Sequence, residues 1–317
     1  MLALTGTTGK IGSAVLSAIL EHKLISPSEL IICTSSNPSD IKFDTLKAQG
    51  IQVRESNYND PTSMVRAFAG AKKLLLISTP RNDLDYNNAP YGQGREKHHF
   101  AAINAAREAG VKHIVYASLA FGLESKAGVM RAHIRTEKYL RGLSDVKWTI
   151  LRQGVYQESW PLYAGLFDIM GDERDEVVVA GDGELSWISL KDLGVANALV
   201  LADDTGKYDG QFFYLSPKKT ATIADVLAMV SKIKGREIKL KFVNEQEYVE
   251  HYSVKGYPKE MLEWWVSSYT ALKEGEGEIK DGLSDELLEG LGVKQKGMEE
   301  TVKEMFARGP REYVKLT

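Results

Sequence analysis

Three glycines, Gly6, Gly9 and Gly12, stand at three-residue intervals in the stretch LTGTTGKIG. A short apolar run precedes them and an amphipathic pattern follows, so they sit where a strand turns into a helix. That context suits a dinucleotide. Gly6 would permit the tight turn, Gly9 the close approach of backbone to a pyrophosphate, and Gly12 the close packing of helix on strand. The helix N-terminus, with Thr8, Lys10 and Ile11, would face the phosphates. The second apolar run ends in CTSSNPSD, where Thr34, Ser35, Ser36 and Asn37 are neutral hydrogen-bonding groups and the first acid is Asp40. A carboxylate at this place accepts from a free ribose 2′-hydroxyl and repels a 2′-phosphate, so its absence favours NADPH over NADH. The same residues also suit a turn that caps the next helix, and the two roles are compatible.

The elements that must position these groups follow a regular alternation. Short apolar runs at residues 2–5, 30–34, 51–54, 73–78, 113–118 and 147–152 are separated by helical patterns. Such alternation predicts an α/β fold, a Rossmann-type doubly wound parallel sheet of order 3-2-1-4-5-6, with ligands at the carboxyl ends of the strands. Ile11, Ala14, Val15, Ala18 and Ile19 form one face of the first helix, and Asp60-Pro61 reads as N-cap and first residue of a short helix reaching Ala69. Residues 1–152 are therefore expected to be an NAD(P)-binding domain, with 185–204 rejoining it. Residues 153–317 are expected to form a smaller, interleaved substrate-binding region, which holds Trp160, Tyr163, Phe167, Trp187, Tyr252, Tyr257, Trp264 and Trp265. The stretch KEGEGEIKDG, at 273–282, reads as a mobile loop.

Longer stretches carry a resemblance. LTGTTGKIG, DPTSMVRAFAGAKKLLLIS, INAAREAGVKHIVYASL, HIRTEKYL, WTILRQGVYQES and AGDGELSWISLKDLGVA resemble, in order and spacing, the NmrA-like atypical short-chain dehydrogenase/reductase family, most closely its type 2 NADPH:quinone oxidoreductase branch. The departure is at the second strand, where relatives often carry an Arg and this chain has Thr34, Ser35 and Ser36. Short-chain dehydrogenases often place a Tyr-x-x-x-Lys pair on the helix after the fifth strand. The two such spacings here, Tyr214 with Lys218 and Tyr269 with Lys273, lie elsewhere and read as coincidences. The helix in that place carries His133 and Glu137 four residues apart, and the resemblance makes His133 a slot often filled by His or Lys. A neighbouring carboxylate would raise the histidine pKa and make it a proton donor near neutrality, whereas a surface or capping histidine paired with Glu137 is the plain alternative. Ser118 ends the fifth strand, where the family often keeps a substrate-orienting hydroxyl, against a serine that bonds its own backbone. Thr79 should border the nicotinamide ribose, Gly154 should let the backbone pass near the nicotinamide, and Tyr156 should pack on substrate or lie in the core. Lys138 belongs to a run with Arg131, Arg135 and Arg141 that reads as a solvated face but could reach a cofactor phosphate or ribose.

What the chain excludes follows from composition. Forty basic and 43 acidic residues give a net charge of -3 without a dense basic block, so nucleic acid is not expected as a partner. The lone Cys33 permits no intrachain disulfide, and neither a leader nor a membrane span is legible, which points to the cytoplasm and to a monomer or homodimer. Adjacent His98 and His99 diverge by about 100° on a helix and no third ligand is spaced to join them, so a helix-surface pair and no metal site are expected. The resemblance implies a reductase passing hydride from NADPH to a small conjugated carbonyl compound such as a quinone. The rival is an NADP(H)-binding redox sensor that regulates a partner without turnover. A sugar-nucleotide epimerase is weaker, since those relatives retain the Tyr and Lys.

Overall fold

In the computed structural model, residues 1–308 are described; residues 309–317 of the expected second region lie outside the described residues. The first half runs β1 (Leu2–Thr5), α1 (Lys10–Glu21), β2 (Leu30–Thr34), α2 (Asp44–Ala48), β3 (Gln52–Glu55), α3 (Pro61–Phe68), β4 (Lys73–Ile77), α4 (Glu96–Glu108), β5 (His113–Leu119), α5 (Met130–Arg141) and β6 (Lys147–Gln153). The second half continues through β7 (Val155–Tyr156), α6 (Trp160–Tyr163), β8 (Glu176–Val179), β9 (Trp187–Ile188), α7 (Leu190–Ala202) and β10 (Gln211–Leu215). It ends with α8 (Ile223–Lys234), β11 (Lys239–Phe242), α9 (Glu245–Ser253), α10 (Lys259–Lys273), α11 (Ser284–Gly290) and α12 (Met298–Ala307).

Seven strands form one parallel sheet in the order β3-β2-β1-β4-β5-β6-β10. This is the doubly wound order read from the sequence, extended by a seventh strand. β1 and β2 are buried along their whole length, as strands covered on both faces by helices must be. β1 lies between β2 and β4, with Leu2 level with Leu30 on one side and Lys73 on the other. There the winding reverses, and the strand ends splay to leave a crevice. One core layer joins α1 and α7 to the sheet through residues such as Val15, Ile19, Leu193 and Leu201. The opposite layer packs α3 and α4 through Phe68, Ala102, Ile103 and Ala106. Asp60 caps α3 by accepting from the Ser63 amide at 3.2 Å, with Pro61 in the first turn.

The six apolar runs read from the sequence end at Arg152 and so omit β10, which pairs in register with β6 from Gln211 level with Thr149 to Leu215 level with Gln153. Its run QFFYL is half-buried rather than uniformly apolar, because it is an edge. A separate aromatic core fills the second half, where Trp160, Phe167, Trp187 and Tyr252 lie buried around the β8–β11 pair and α8 to α10. The segment read as a mobile loop packs closely: a Cβ on Gly277 would lie 2.7 Å from the Glu184 carbonyl oxygen, and one on Gly282 2.0 Å from that of Ser216. Among the described residues, no helix is long and apolar enough to cross a membrane.

Candidate active site

A cavity of about 580 Å³ opens at the carboxyl ends of five strands. Their terminal residues Thr5, Thr34, Ile77, Leu119 and Gln153 all line it. At one end lies the glycine turn. Gly6 has φ +66°, in the left-handed region that costs glycine nothing, and its carbonyl accepts from the Gly9 amide at 2.9 Å. A Cβ on Gly12 would stand 2.1 Å from that same carbonyl oxygen, so α1 rests directly on the turn. Gly9 is the N-cap of α1 and gives no side-chain cap, and no acid occupies the first turn. The amides at the start of α1 thus face the cavity with Thr8, Lys10 and Ile11 beside them. A helix N-terminus left this way is fitted to a phosphate.

Further along, Cys33, Thr34, Ser35, Ser56 and Tyr58 form the wall that a ribose and its substituent would meet. Among the described residues that line the cavity there is no carboxylate, and Lys10 stands beside the glycine turn, so a polyanion fits it. The far end is aromatic, with Tyr156, Tyr163, Trp264 and Trp265. Trp264 and Trp265 arrive from α10, and Tyr163 packs edge-on to Trp265 with ring centroids 5.0 Å apart.

Ser118, His133 and Arg95, which line the cleft, join it to a buried polar network behind its wall. Arg152 binds Glu137 through Nε to Oε1 and Nη2 to Oε2, both at 2.9 Å, and its Nη1 donates to the Phe121 carbonyl at 2.6 Å. Ser118 donates to Glu137 Oε1 at 2.5 Å. His133 Nδ1 is 2.8 Å from the Tyr116 hydroxyl, and Tyr116 also lies 3.3 Å from His99 Nδ1. Arg95 donates to Asp85 from both its amide, at 2.8 Å, and Nε, at 2.6 Å. Burial first, then the charges of Arg95, His99 and Arg152, holds the His133 pKa well below the ordinary histidine value. His99 is held low by burial, Arg95 and His98. Burial, and then the charge of Glu158, raises the Tyr156 phenol, whose hydroxyl donates to Gln153 Oε1 at 3.3 Å.

Gly6, Thr8, Gly9, Lys10, Ile11, Thr34, Ser35, Thr79, Ser118, His133 and Tyr156 are thus brought to one cleft. Others are not. Lys138 is exposed and borders a separate depression with Tyr91 and Tyr139, because five residues along a helix turn it about 140° from His133. Ser36 does not line the cleft, and its amide is bound by Thr34 Oγ1 at 3.1 Å. Gly154 makes room for the protein itself: a Cβ there would meet Ser216 Oγ at 2.7 Å and Ile188 Cγ2 at 3.0 Å. The expected His133–Glu137 pairing is replaced by the Arg152–Glu137 pair, so the expected rise in the histidine pKa becomes a fall. His98 and His99 are not a surface pair. His98 stacks on Tyr58 with centroids 5.4 Å apart and His99 is fully buried. Among the late aromatics, only Tyr163, Trp264 and Trp265 reach the cleft, and Tyr257 is exposed. Neither Tyr214 nor Tyr269 lines it, the latter donating to the Tyr163 carbonyl at 2.8 Å.

Sequence reasoning missed Arg95, Tyr58 and Gln153. Tyr58 follows the end of β3, a position that the strand-end rule could have flagged. Arg95 carries no such signal, since one arginine before a helix reads as a surface cation.

Comparison with known proteins places this geometry. The chain is 29% identical over 291 residues to the NmrA-like family domain-containing oxidoreductase flvB of Aspergillus flavus, covering 90% of this chain and 89% of that protein. It is 30% identical over 281 residues to quinone oxidoreductase 2 of Escherichia coli (strain K12), covering 87% and 89%. The crystal structure of the Escherichia coli NADPH-dependent quinone oxidoreductase QOR2 with NADPH superposes with a TM-score of 0.78 at 28% identity, over 96% of this chain and all of that one. A model of the NmrA-like family matches residues 1–300, nearly the whole sequence, and the chain belongs to that family.

Proposed function

We propose that this protein is an NADPH-dependent reductase that passes hydride to a quinone or another planar conjugated carbonyl compound. The observation that carries the reading is the continuity of one cleft, from an uncapped phosphate-binding turn, past a wall without carboxylates, to an aromatic end. The NADPH complex of the Escherichia coli quinone oxidoreductase supports it.

In this reading the first amides of α1 and Lys10 hold the diphosphate, Thr34 and Ser35 meet the 2′-phosphate, and Thr79 borders the nicotinamide ribose. Bound NADPH supplies the hydride. Trp264, Trp265, Tyr163 and Tyr156 sandwich a flat acceptor and keep water out, and residues beyond 152 thereby form the substrate side. His133 serves the acceptor's oxygen. The buried hydroxyl of Ser118 already gives its proton to Glu137 and that of Tyr156 to Gln153, so both orient rather than donate.

The test is consumption of NADPH against quinones, enones and aldehydes. Turnover is expected with quinones, and His133→Ala should lower it by about 10²-fold with NADPH affinity nearly unchanged. The absence of a Tyr-x-x-x-Lys pair from the cleft favours the redox sensor as a second reading. Tight NADPH binding with no turnover across the panel would establish that sensor and remove the reductase.

A further inference from the structure

The proton on His133 can be located from its neighbours. The Thr79 backbone N–H, which can only donate, lies 3.3 Å from His99 Nε2. His99 Nε2 is therefore an acceptor, with Ser78 Oγ also 3.1 Å away and able to donate to it. In a neutral ring the proton must then sit on Nδ1. Neutrality fits the site, because the ring is fully buried near Arg95 and lowered in pKa.

His99 Nδ1–H has two oxygens in reach. Thr136 Oγ1, at 2.8 Å, spends its own proton on the Ala132 carbonyl at 2.7 Å and is free to accept. The Tyr116 hydroxyl is at 3.3 Å. Since His99 Nδ1 carries a proton, Tyr116 cannot donate there; of the two acceptors left to it, Thr136 Oγ1 already takes the His99 proton, and His133 Nδ1 lies at 2.8 Å. The phenol is itself fully buried, so a proton with no acceptor would be costly. Tyr116 therefore donates to His133 Nδ1. The His133 ring, which lines the cleft, is left with its proton on Nε2.

We propose that His99 and Tyr116 are positioning residues that fix His133 as a neutral imidazole carrying its proton on Nε2, so that it meets the acceptor's oxygen as a hydrogen-bond donor. This rests on the reductase reading above and deepens it. Hydride transfer brings two electrons and one proton to the acceptor and leaves one negative charge on its oxygen. The His133 Nε2–H bond stabilises that charge without surrendering its proton, and bulk water supplies the proton when the product leaves. A preorganised donor of this kind acts without changing charge itself. It also differs from an imidazolium acid in its pH behaviour, for turnover is not lost through deprotonation of His133 as pH rises from 6 towards 9.

The tautomer can be read without turnover, by long-range ¹H–¹⁵N correlation of the ¹⁵N-histidine-labelled full chain at neutral pH, with and without NADP⁺. The His133 signals are identified by their disappearance in His133→Gln. An Nε2–H ring for His133 and an Nδ1–H ring for His99 are expected. Tyr116→Phe should release His133 into a mixture of tautomers and lower kcat by about tenfold or more, with KM for NADPH held. An Nδ1–H or doubly protonated His133 in the unmodified protein overturns the proposal, as does an unchanged tautomer in Tyr116→Phe. Because this readout needs no substrate, failure to reduce any quinone would count against the reductase alone, while a wrong tautomer would count against the positioning role alone.

Discussion

Arg152 holds Glu137 by two parallel hydrogen bonds of 2.9 Å, from β6 to α5, with both side chains buried. The fork of the guanidinium matches the carboxylate, and Ser118 adds a third bond to Oε1. His133, one turn before Glu137, is left to Tyr116.

Removing one partner of that pair should cost far more than removing both. Arg152→Met strands a buried carboxylate and should lose about 3–5 kcal/mol of unfolding free energy, whereas the double variant Arg152→Met with Glu137→Leu should recover most of it. Urea denaturation of the two variants beside the unmodified chain measures the difference. A single-variant loss below about 1 kcal/mol would show that the pair contributes little to holding β6 against α5.

Two glycines of the turn should fail in different ways. A Cβ at Gly9 meets only the Gly6 carbonyl oxygen at 3.3 Å, so Gly9→Val should fold yet block the approach of a pyrophosphate. NADPH affinity should fall by about 10²-fold or more. At Gly12 the corresponding contact is 2.1 Å to backbone, so Gly12→Ala should lower the melting temperature itself. Calorimetry and NADPH titration of both variants would expose an error if Gly9→Val bound normally.

Ser35 is exposed on the wall that would meet the 2′-phosphate. The unmodified chain should bind NADPH more tightly than NADH, and Ser35→Asp should reverse the order by repelling the phosphate and accepting from a free hydroxyl. Fluorescence titration with both nucleotides decides it. An aspartate variant that still prefers NADPH would mean that another wall residue sets the choice.

Stability should fall in mild acid because buried histidines resist protonation. Burial and nearby Lys73 and Lys147 hold His113 down at about 4 against the opposing pull of Asp209, and His99 and His133 are lowered too. With folded values below the unfolded value, the unfolded chain binds more protons between them. Stability is therefore present above about pH 6.5 and lost as pH falls towards the folded values. Near pH 5 these three sites should together steepen the pH dependence by about 4 kcal/mol per unit. Urea unfolding between pH 5 and 8 gives the slope, and His113→Gln should reduce it by about one proton's worth. A slope indifferent to that substitution would place the acid sensitivity in other groups.

Whatever depends on local pattern could be read directly from the chain. Six apolar runs separated by 3.6-residue periodicity predict a doubly wound sheet, and the strand order found, β3-β2-β1-β4-β5-β6, follows from how right-handed crossovers stack such units. The glycine turn was equally legible, because Gly6 and Gly12 answer to backbone constraints set within seven residues of chain. Which side chain meets which was set instead by packing between elements far apart in the chain. Spacing on α5 puts Glu137 near His133, but Arg152 from β6 offers a paired charge, and a carboxylate removed from water takes the partner that neutralises it. His99 and Tyr116 join His133 through contacts 17 residues apart in sequence, and Trp264 and Trp265 reach the cleft on a helix whose own periodicity names no destination. Side-chain burial at such places is set by whichever element packs over them, and that element lies outside any local window of the chain.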